Sequence, residues 1–349
     1  MDIQSIASHC KKAAIFMSAL SSDIKNTALQ NIIKALEDNM HLIIEANKKD
    51  LEQARKDNLE APLIKRLKFD HTKISEACEG IASLIKLEDP VGKTLRATQL
   101  DKGLTLFKVS RPIGVIGVIF ESRPDALVQI AALCLKSGNS VLLKGGSEAS
   151  ATNQILAAII SRAGVESGLP DGWLGLLETR SEVDQMLKLE NSVDLIIPRG
   201  SNEFVRYIMD NTVIPVLGHA DGICHLYIDR FADPEMAIDL SIDSKCQYVA
   251  VCNAIETILV HESLARDILP GLKSKLEERG VKIYGCENTG GIIDVEAASE
   301  ADWKTEYLDL IVSIKVVPSL EEAVAHINQY GSGHTDVIVT GDKKRALYF

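Results

Sequence analysis

The sequence predicts an α/β protein with two parallel-sheet domains and a separate antiparallel hairpin. Three observations carry this. Ile113–Phe120 is a near-continuous apolar run, as expected of a strand covered on both faces. From there to the end, short apolar runs alternate with helical patterns, which implies right-handed crossovers and a parallel sheet. A chain of 349 residues is too long for one small core, so two domains are expected.

Residues 1–94 form the first block, read as N-terminal helices. Apolar residues three or four apart (Leu29, Ile32, Ile33, Leu36) mark helices from Ile3 to about Asn58. Ser21-Ser22-Asp23 supplies a break and an N-cap, and a further helix runs from Ile64 to Leu87. Val91-Gly92-Lys93-Thr94 imitates the end of a phosphate-binding loop, but Leu87 stands where its first glycine is required. Residues 95–112 contain the hairpin, with alternation from Leu95 to Val109 around Asp101-Lys102-Gly103. Exposed between two packed halves, it needs a surface to lie on, such as another subunit.

Residues 113–228 read as an α/β domain with a parallel sheet. Its strands are expected at 113–120, 141–144, 173–177, 193–198 and 213–217. Helices are expected at 126–136, from about 147 to 163, at 181–189 and after 202. Residues 229–349 form a second α/β unit. Its helices fall at 234–244, 262–279 and 320–330, and its strands at 255–260, 310–317 and 336–340.

Hydrophobic residues make up 46% and charged residues 25%, ordinary for a globular protein. The net charge of −11 argues against nucleic acid or an anionic membrane as main partner, though not against an anionic small substrate. The seven cysteines are scattered with no CxxC, and neither a signal core nor a membrane-length apolar run is present. A reduced, cytoplasmic protein with free thiols is expected.

Cys252 lies in Gln247–Ala254, just before the β-prone run Ile255–His261. Small or apolar neighbours (Ala250, Val251, Ala254) allow a tight turn, and a cysteine at a loop–strand junction is held rigidly with one side open. A nucleophilic thiol needs that, although most cysteines are simply small buried hydrophobes. Two strand–helix junctions, Lys144-Gly145-Gly146-Ser147 and Arg199-Gly200-Ser201, suit a dinucleotide phosphate at a helix N-terminus; each also fits a plain glycine turn with a serine cap. No GxGxxG occurs, so a nicotinamide cofactor would need another variant of the nucleotide fold. The loop Val216–His225 gathers two imidazoles, a carboxylate and a thiol. Its spacing matches no standard metal-ligand pattern, and a loop placing His219 or Asp221 beside a reacting thioester fits better.

These stretches together carry a resemblance. Arg111–Pro124, Val141–Ser147, Ile197–Ser201, Pro215–His225, Val251–Thr257 and Gly331–Asp336 resemble, in order, the γ-glutamyl phosphate reductase family. The resemblance implies the aldehyde dehydrogenase fold, with a cofactor domain, a catalytic domain and an oligomerising β-flap formed by the hairpin. It implies Cys252 as the nucleophile, and Lys144, Ser147, Glu148, Gly200 and Ser201 near NADP(H). General aldehyde dehydrogenases place an asparagine where Ser122 stands and a glutamate base near His219, so those two positions are further catalytic candidates. The family's sequences continue beyond the position of Phe349, so a C-terminally incomplete catalytic domain is expected.

The implied reaction is NADPH-dependent reduction of L-glutamyl 5-phosphate to L-glutamate 5-semialdehyde and phosphate, the second step of proline biosynthesis. Glu121 and Arg123 are candidates to pair with the substrate's amino and carboxylate groups, or else to form local ion pairs. Asn253, His334 and Thr335 are further substrate-binding candidates, the last two suited to the phosphate or to capping a strand. No metal is expected. A glutamate 5-kinase and other copies of the chain are the expected partners. The rival readings are a general NAD-dependent aldehyde dehydrogenase and an inactive truncated scaffold.

Overall fold

The computed structural model describes residues 2–121, 123–200, 202–218, 221–249 and 251–349, with the side chains of 61, 62, 180 and 202 also left out of the description. The chain forms two compact units, Met1–Gly218 and His219–Phe349.

The first unit begins with five helices: α1 Ile3–Met17, α2 Ser22–Asp38, α3 Met40–Lys56, α4 Ala61–Leu67 and α5 His71–Lys86. Ser21 caps α2 as expected, its side chain accepting from the Ile24 amide. The helix expected over 64–87 is instead two. Lys68 is extended and Asp70 accepts from the Lys73 amide, so α5 starts afresh. Buried Asn47 holds this break: it donates to the Leu67 carbonyl at 2.9 Å and accepts from the Phe69 amide at 2.8 Å.

The hairpin is β1 Thr94–Asp101 and β2 Leu104–Val109, with Gly103 at φ +82° in the turn. Leu95, Leu100, Leu104, Leu106, Phe107 and Val109 are all exposed on it. Gly92 and Lys93 merely close its base through backbone bonds with Ser110.

The four-stranded sheet has β3 Val115–Ile119, β4 Ser140–Lys144, β5 Leu174–Leu177 and β6 Leu195–Pro198, all parallel in the order β5-β4-β3-β6. Helices α6 Pro124–Lys136, α7 Ser150–Glu166, α8 Arg180–Met186 and α9 Asn202–Asp210 complete the unit, and a 3₁₀ turn Ser147–Ala149 precedes α7. Ile116, Val118 and Phe120 enter one core with residues of α2, α5, α6 and α7; Val115 and Ile119 enter another with α1 and α8. That period-two division explains the unbroken apolar run. Gly117 belongs to the second face, where an added Cβ would come within 3.0 Å of Met186 Sδ.

The strand expected at 213–217 is only a single bridge, Val216 beside Ile196. Pro215 accepts from the Ile196 amide but has no N–H to return, so no ladder extends.

The second unit holds a six-stranded sheet in the order β10-β9-β11-β8-β7-β12, all parallel. Its strands are β7 Cys224–Ile228, β8 Ile255–His261, β9 Lys282–Gly285, β10 Glu296–Ala297, β11 Ile311–Val317 and β12 Asp336–Val339. Its helices are α10 Pro234–Cys246, α11 Glu262–Glu278, α12 Glu287–Gly290, α13 Leu320–Tyr330 and α14 Lys343–Tyr348. The domain boundary expected after 228 thus moves to Gly218: β7 pairs with β8 and β12 and belongs to this unit's core. Among the described residues no helix is long and apolar enough to cross a membrane.

Candidate active site

The loop carrying Cys252 joins the end of α10 to β8, whose seven residues are all buried. A buried strand is a rigid base, and the Ala254 amide bonds back to the Val251 carbonyl at 3.1 Å to make the turn. Cys252 itself is only half-buried, whereas Cys10, Cys78, Cys134 and Cys224 are buried.

The carbonyl of Cys252 is gripped from β7. The Cys224 thiol donates to it at 3.2 Å. Gly222 lies so close that an added Cβ would sit 2.1 Å from the Cys252 carbonyl oxygen and 2.7 Å from Glu306 Oε1. Burial first, then the nearby Asp336 carboxylate, pushes the Cys224 thiol up to about 12, so it stays protonated and remains a donor.

His334 and Thr335 precede β12, which lies beside β7. The imidazole Nδ1 of His334 is 3.8 Å from Cys224 Sγ and 2.9 Å from Thr335 Oγ1. Ser332 accepts from the Ile223 amide at 3.0 Å, fixing the same corner. Cys252, exposed Asn253, His334 and Thr335 are therefore gathered at the amino ends of β7, β8 and β12. His219, Ser122 and Ser201 lie outside the described residues. Among the described residues, no group of three His, Cys, Asp or Glu is placed to hold a metal ion.

The described cofactor candidates, Lys144, Ser147, Glu148 and Gly200, lie in the first unit, at or just beyond the carboxyl ends of its strands. The order in which strands are added reverses at β3, with β4 on one side and β6 on the other while all four run parallel, and such a switch point is where open α/β sheets bind ligands. The Phe120 amide donates to the Lys144 carbonyl at 2.9 Å and the Arg199 amide to the Ile119 carbonyl at 2.8 Å, so both junctions are pinned to β3. Lys144 is buried at the end of β4, its ammonium on the Gly145 carbonyl. A Cβ at Gly145 would come within 2.3 Å of Asn153 Nδ2, and one at Gly200 within 3.0 Å of the Phe204 ring. Ser147 and Glu148 form the 3₁₀ turn before α7, with Ser147 Oγ 3.3 Å from the Glu148 carboxylate. A narrow cavity is lined by Gly145, Gly146, Ser147, Ser150, Asn153 and Glu178, and the buried Asn153 Oδ1 has no hydrogen-bond partner among the described residues. Glycine backbone, serine hydroxyls and an orphan amide oxygen suit the polar rim of a nucleotide.

Glu121 and Arg123 follow β3 and are both largely exposed. Glu121 stands 3.7 Å from Arg66, and Arg123 is paired with Asp125 at 2.7 Å.

Sequence reasoning passed over Cys224 as a partner of the nucleophile loop, and Glu256 altogether. Glu256 is a carboxylate inside a wholly buried strand, paired with Lys245 at 2.7 Å. A lone charge in an apolar β run was the available signal.

The family model described as "Aldehyde dehydrogenase family" matches residues 4–289, and this is the class that the two parallel sheets and the loop-borne cysteine define. A gamma-glutamyl phosphate reductase of Ruminiclostridium cellulolyticum is 59% identical over 349 residues, covering 100% of this chain and 81% of that one. The crystal structure of gamma-glutamyl phosphate reductase from Thermotoga maritima, 37% identical, matches 100% of this chain and 85% of that one with a TM-score of 0.95. The corresponding Saccharomyces cerevisiae structure, 39% identical, matches 100% and 89% with a TM-score of 0.60. The chain belongs to the gamma-glutamyl phosphate reductases, or glutamate-5-semialdehyde dehydrogenases, of the aldehyde dehydrogenase family. It is an oxidoreductase of the kind that uses a nicotinamide cofactor.

Proposed function

We propose that this chain reduces L-glutamyl 5-phosphate to L-glutamate 5-semialdehyde with release of phosphate, through a thioester on Cys252. One observation carries the reading: a half-buried thiol on a short loop whose carbonyl is held by Cys224 and whose next residues enter a buried strand.

The Cys252 thiolate attacks the acyl-phosphate carbonyl carbon. A C–S bond forms, the C–O bond to phosphate breaks, and phosphate leaves. The Cys252 backbone N–H is the donor proposed for the developing oxyanion. NADPH, when bound, supplies hydride. The reduced carbon then parts from Cys252 as the semialdehyde and the thiolate is restored.

Lys144, Ser147, Glu148, Gly200 and Ser201 are assigned to the cofactor, supported by the cradle around Gly145 and Asn153 Oδ1. His334 and Thr335 are assigned to the leaving phosphate, Asn253 to the acyl group, and Glu121 and Arg123 to the substrate's charged end. That last assignment requires Arg66 and Asp125 to be exchanged for substrate. A glutamate 5-kinase is the expected supplier of the acyl phosphate. The exposed apolar hairpin supports assembly with further copies of the chain.

The test is NADPH formation from glutamate semialdehyde, with and without inorganic phosphate, for this chain and its Cys252→Ala variant. Strict phosphate dependence and a dead variant are expected. Phosphate-independent turnover with NAD would instead make it an ordinary, water-using aldehyde dehydrogenase.

A further inference from the structure

Lys245 and Glu256 stand at the two feet of the loop that carries Cys252. Lys245 is in the last turn of α10 and Glu256 is the second residue of β8. Their charged ends meet at 2.7 Å, with the side chains 0% and 1% exposed. The other carboxylate oxygen accepts from the Leu308 amide at 3.4 Å, and Leu308 sits in the left-handed region at φ +52°.

Such a pair is an unusual way to stabilise a core. Removing two charges from water costs several kcal/mol per ion, and an apolar pair of similar volume often does as well or better. Burial raises the Glu256 carboxyl to about 7, with Lys245 pulling the other way. The pair therefore calls for a reason other than bulk stability.

Geometry provides one. A helix and the strand that follows it share no backbone ladder, so side chains must set the distance between the loop's ends. Among the described residues, the loop's backbone makes local bonds, from Gln247 to Asp243 and from Ala254 to Val251. Cys224 holds its middle by donating to the Cys252 carbonyl, which Gly222 closely approaches.

We propose that the Lys245–Glu256 pair positions the nucleophile, fixing the span of the 247–254 loop and hence the aim of Cys252 Sγ. Neither residue is catalytic, since both are sealed from substrate. The inference rests on the reading of Cys252 as nucleophile.

The test compares Lys245→Met, Lys245→Arg, Glu256→Gln, the double variant Lys245→Met/Glu256→Met, and Cys252→Ala. The measurements are kcat, KM, melting temperature and the rate of iodoacetamide labelling of Cys252. The double variant is expected to keep its melting temperature, while kcat and Cys252 labelling fall about 10- to 100-fold and KM moves by less than about threefold. Lys245→Arg should retain more kcat than Lys245→Met. A double variant within about twofold of the parent in kcat and labelling overturns the proposal. If the double variant does not fold, Glu256→Gln decides: a folded variant with parental kcat and labelling overturns it, and a matching loss of both supports it. An inactive Cys252→Ala beside a fully active double variant sinks this inference alone. An active Cys252→Ala sinks the nucleophile reading, and this inference with it.

Discussion

The thiol of Cys224 donates to the backbone carbonyl of Cys252 across 3.2 Å, linking the first residue of β7 to the loop that bears the proposed nucleophile. One hydrogen bond of this kind is worth about 0.5–1.5 kcal/mol. Cys224→Ala is expected to lower kcat several-fold with little change in KM. Cys224→Ser, which keeps a donor, should recover part of the loss in the same steady-state assay. Equal activity in the two variants would show that the donor is unimportant.

Gly222 permits the close approach of its loop to Cys252. Gly222→Ala must push the Cys252 carbonyl away from a Cβ otherwise 2.1 Å from its oxygen. A displacement near 1 Å at a reacting group costs on the order of 100-fold. We expect that loss in kcat together with a lower melting temperature. Gly290→Ala, where an added Cβ meets nothing within 4 Å, serves as the control and should change neither.

A buried imidazole should make the fold acid-sensitive. Burial, then Lys315 and His225, hold His326 down at about 3, against 6.5 when unfolded. Between those values the unfolded chain takes up a proton that the folded chain refuses. The stability is present above about 6.5 and is lost as pH falls toward 3, on the order of a few kcal/mol in total. In denaturant titrations across this range, His326→Leu should flatten the dependence. An unchanged slope would exclude His326 as its source.

Asp50 on α3 caps α7 from outside. Its carboxylate accepts from the amides of Ala151 at 3.1 Å and Thr152 at 2.8 Å, and from the Thr152 hydroxyl at 2.6 Å. These are the orphan donors of a helix N-terminus, held by a carboxylate of favourable charge. Asp50→Ala is expected to cost about 1–3 kcal/mol, read as a drop in the chemical-denaturation midpoint at unchanged slope.

Local pattern carried far because both sheets are parallel and buried. Such strands are written as apolar runs, and β8 and β11 fall within a residue or two of their expected places. Local pattern failed where a distant group decided. The break between α4 and α5 is held by Asn47, some twenty residues away, and the 213–217 run lost its ladder to Pro215. The short strands β9 and β10 carry too few apolar residues to be written in the sequence at all.

By itself the sequence determined the α/β class, the exposed hairpin, the loop–strand seat of Cys252 and the two glycine-serine junctions of the first unit. Each depends on neighbours in the chain, whose periodicity and turn chemistry are local. The tertiary structure alone decided that Cys224 bonds to the Cys252 carbonyl beside Gly222, that Lys245 pairs with Glu256 at the ends of that loop, and that β7 belongs to the second unit. Those facts depend on which strands lie side by side, and in a parallel sheet neighbouring strands are separated by whole helices of intervening chain.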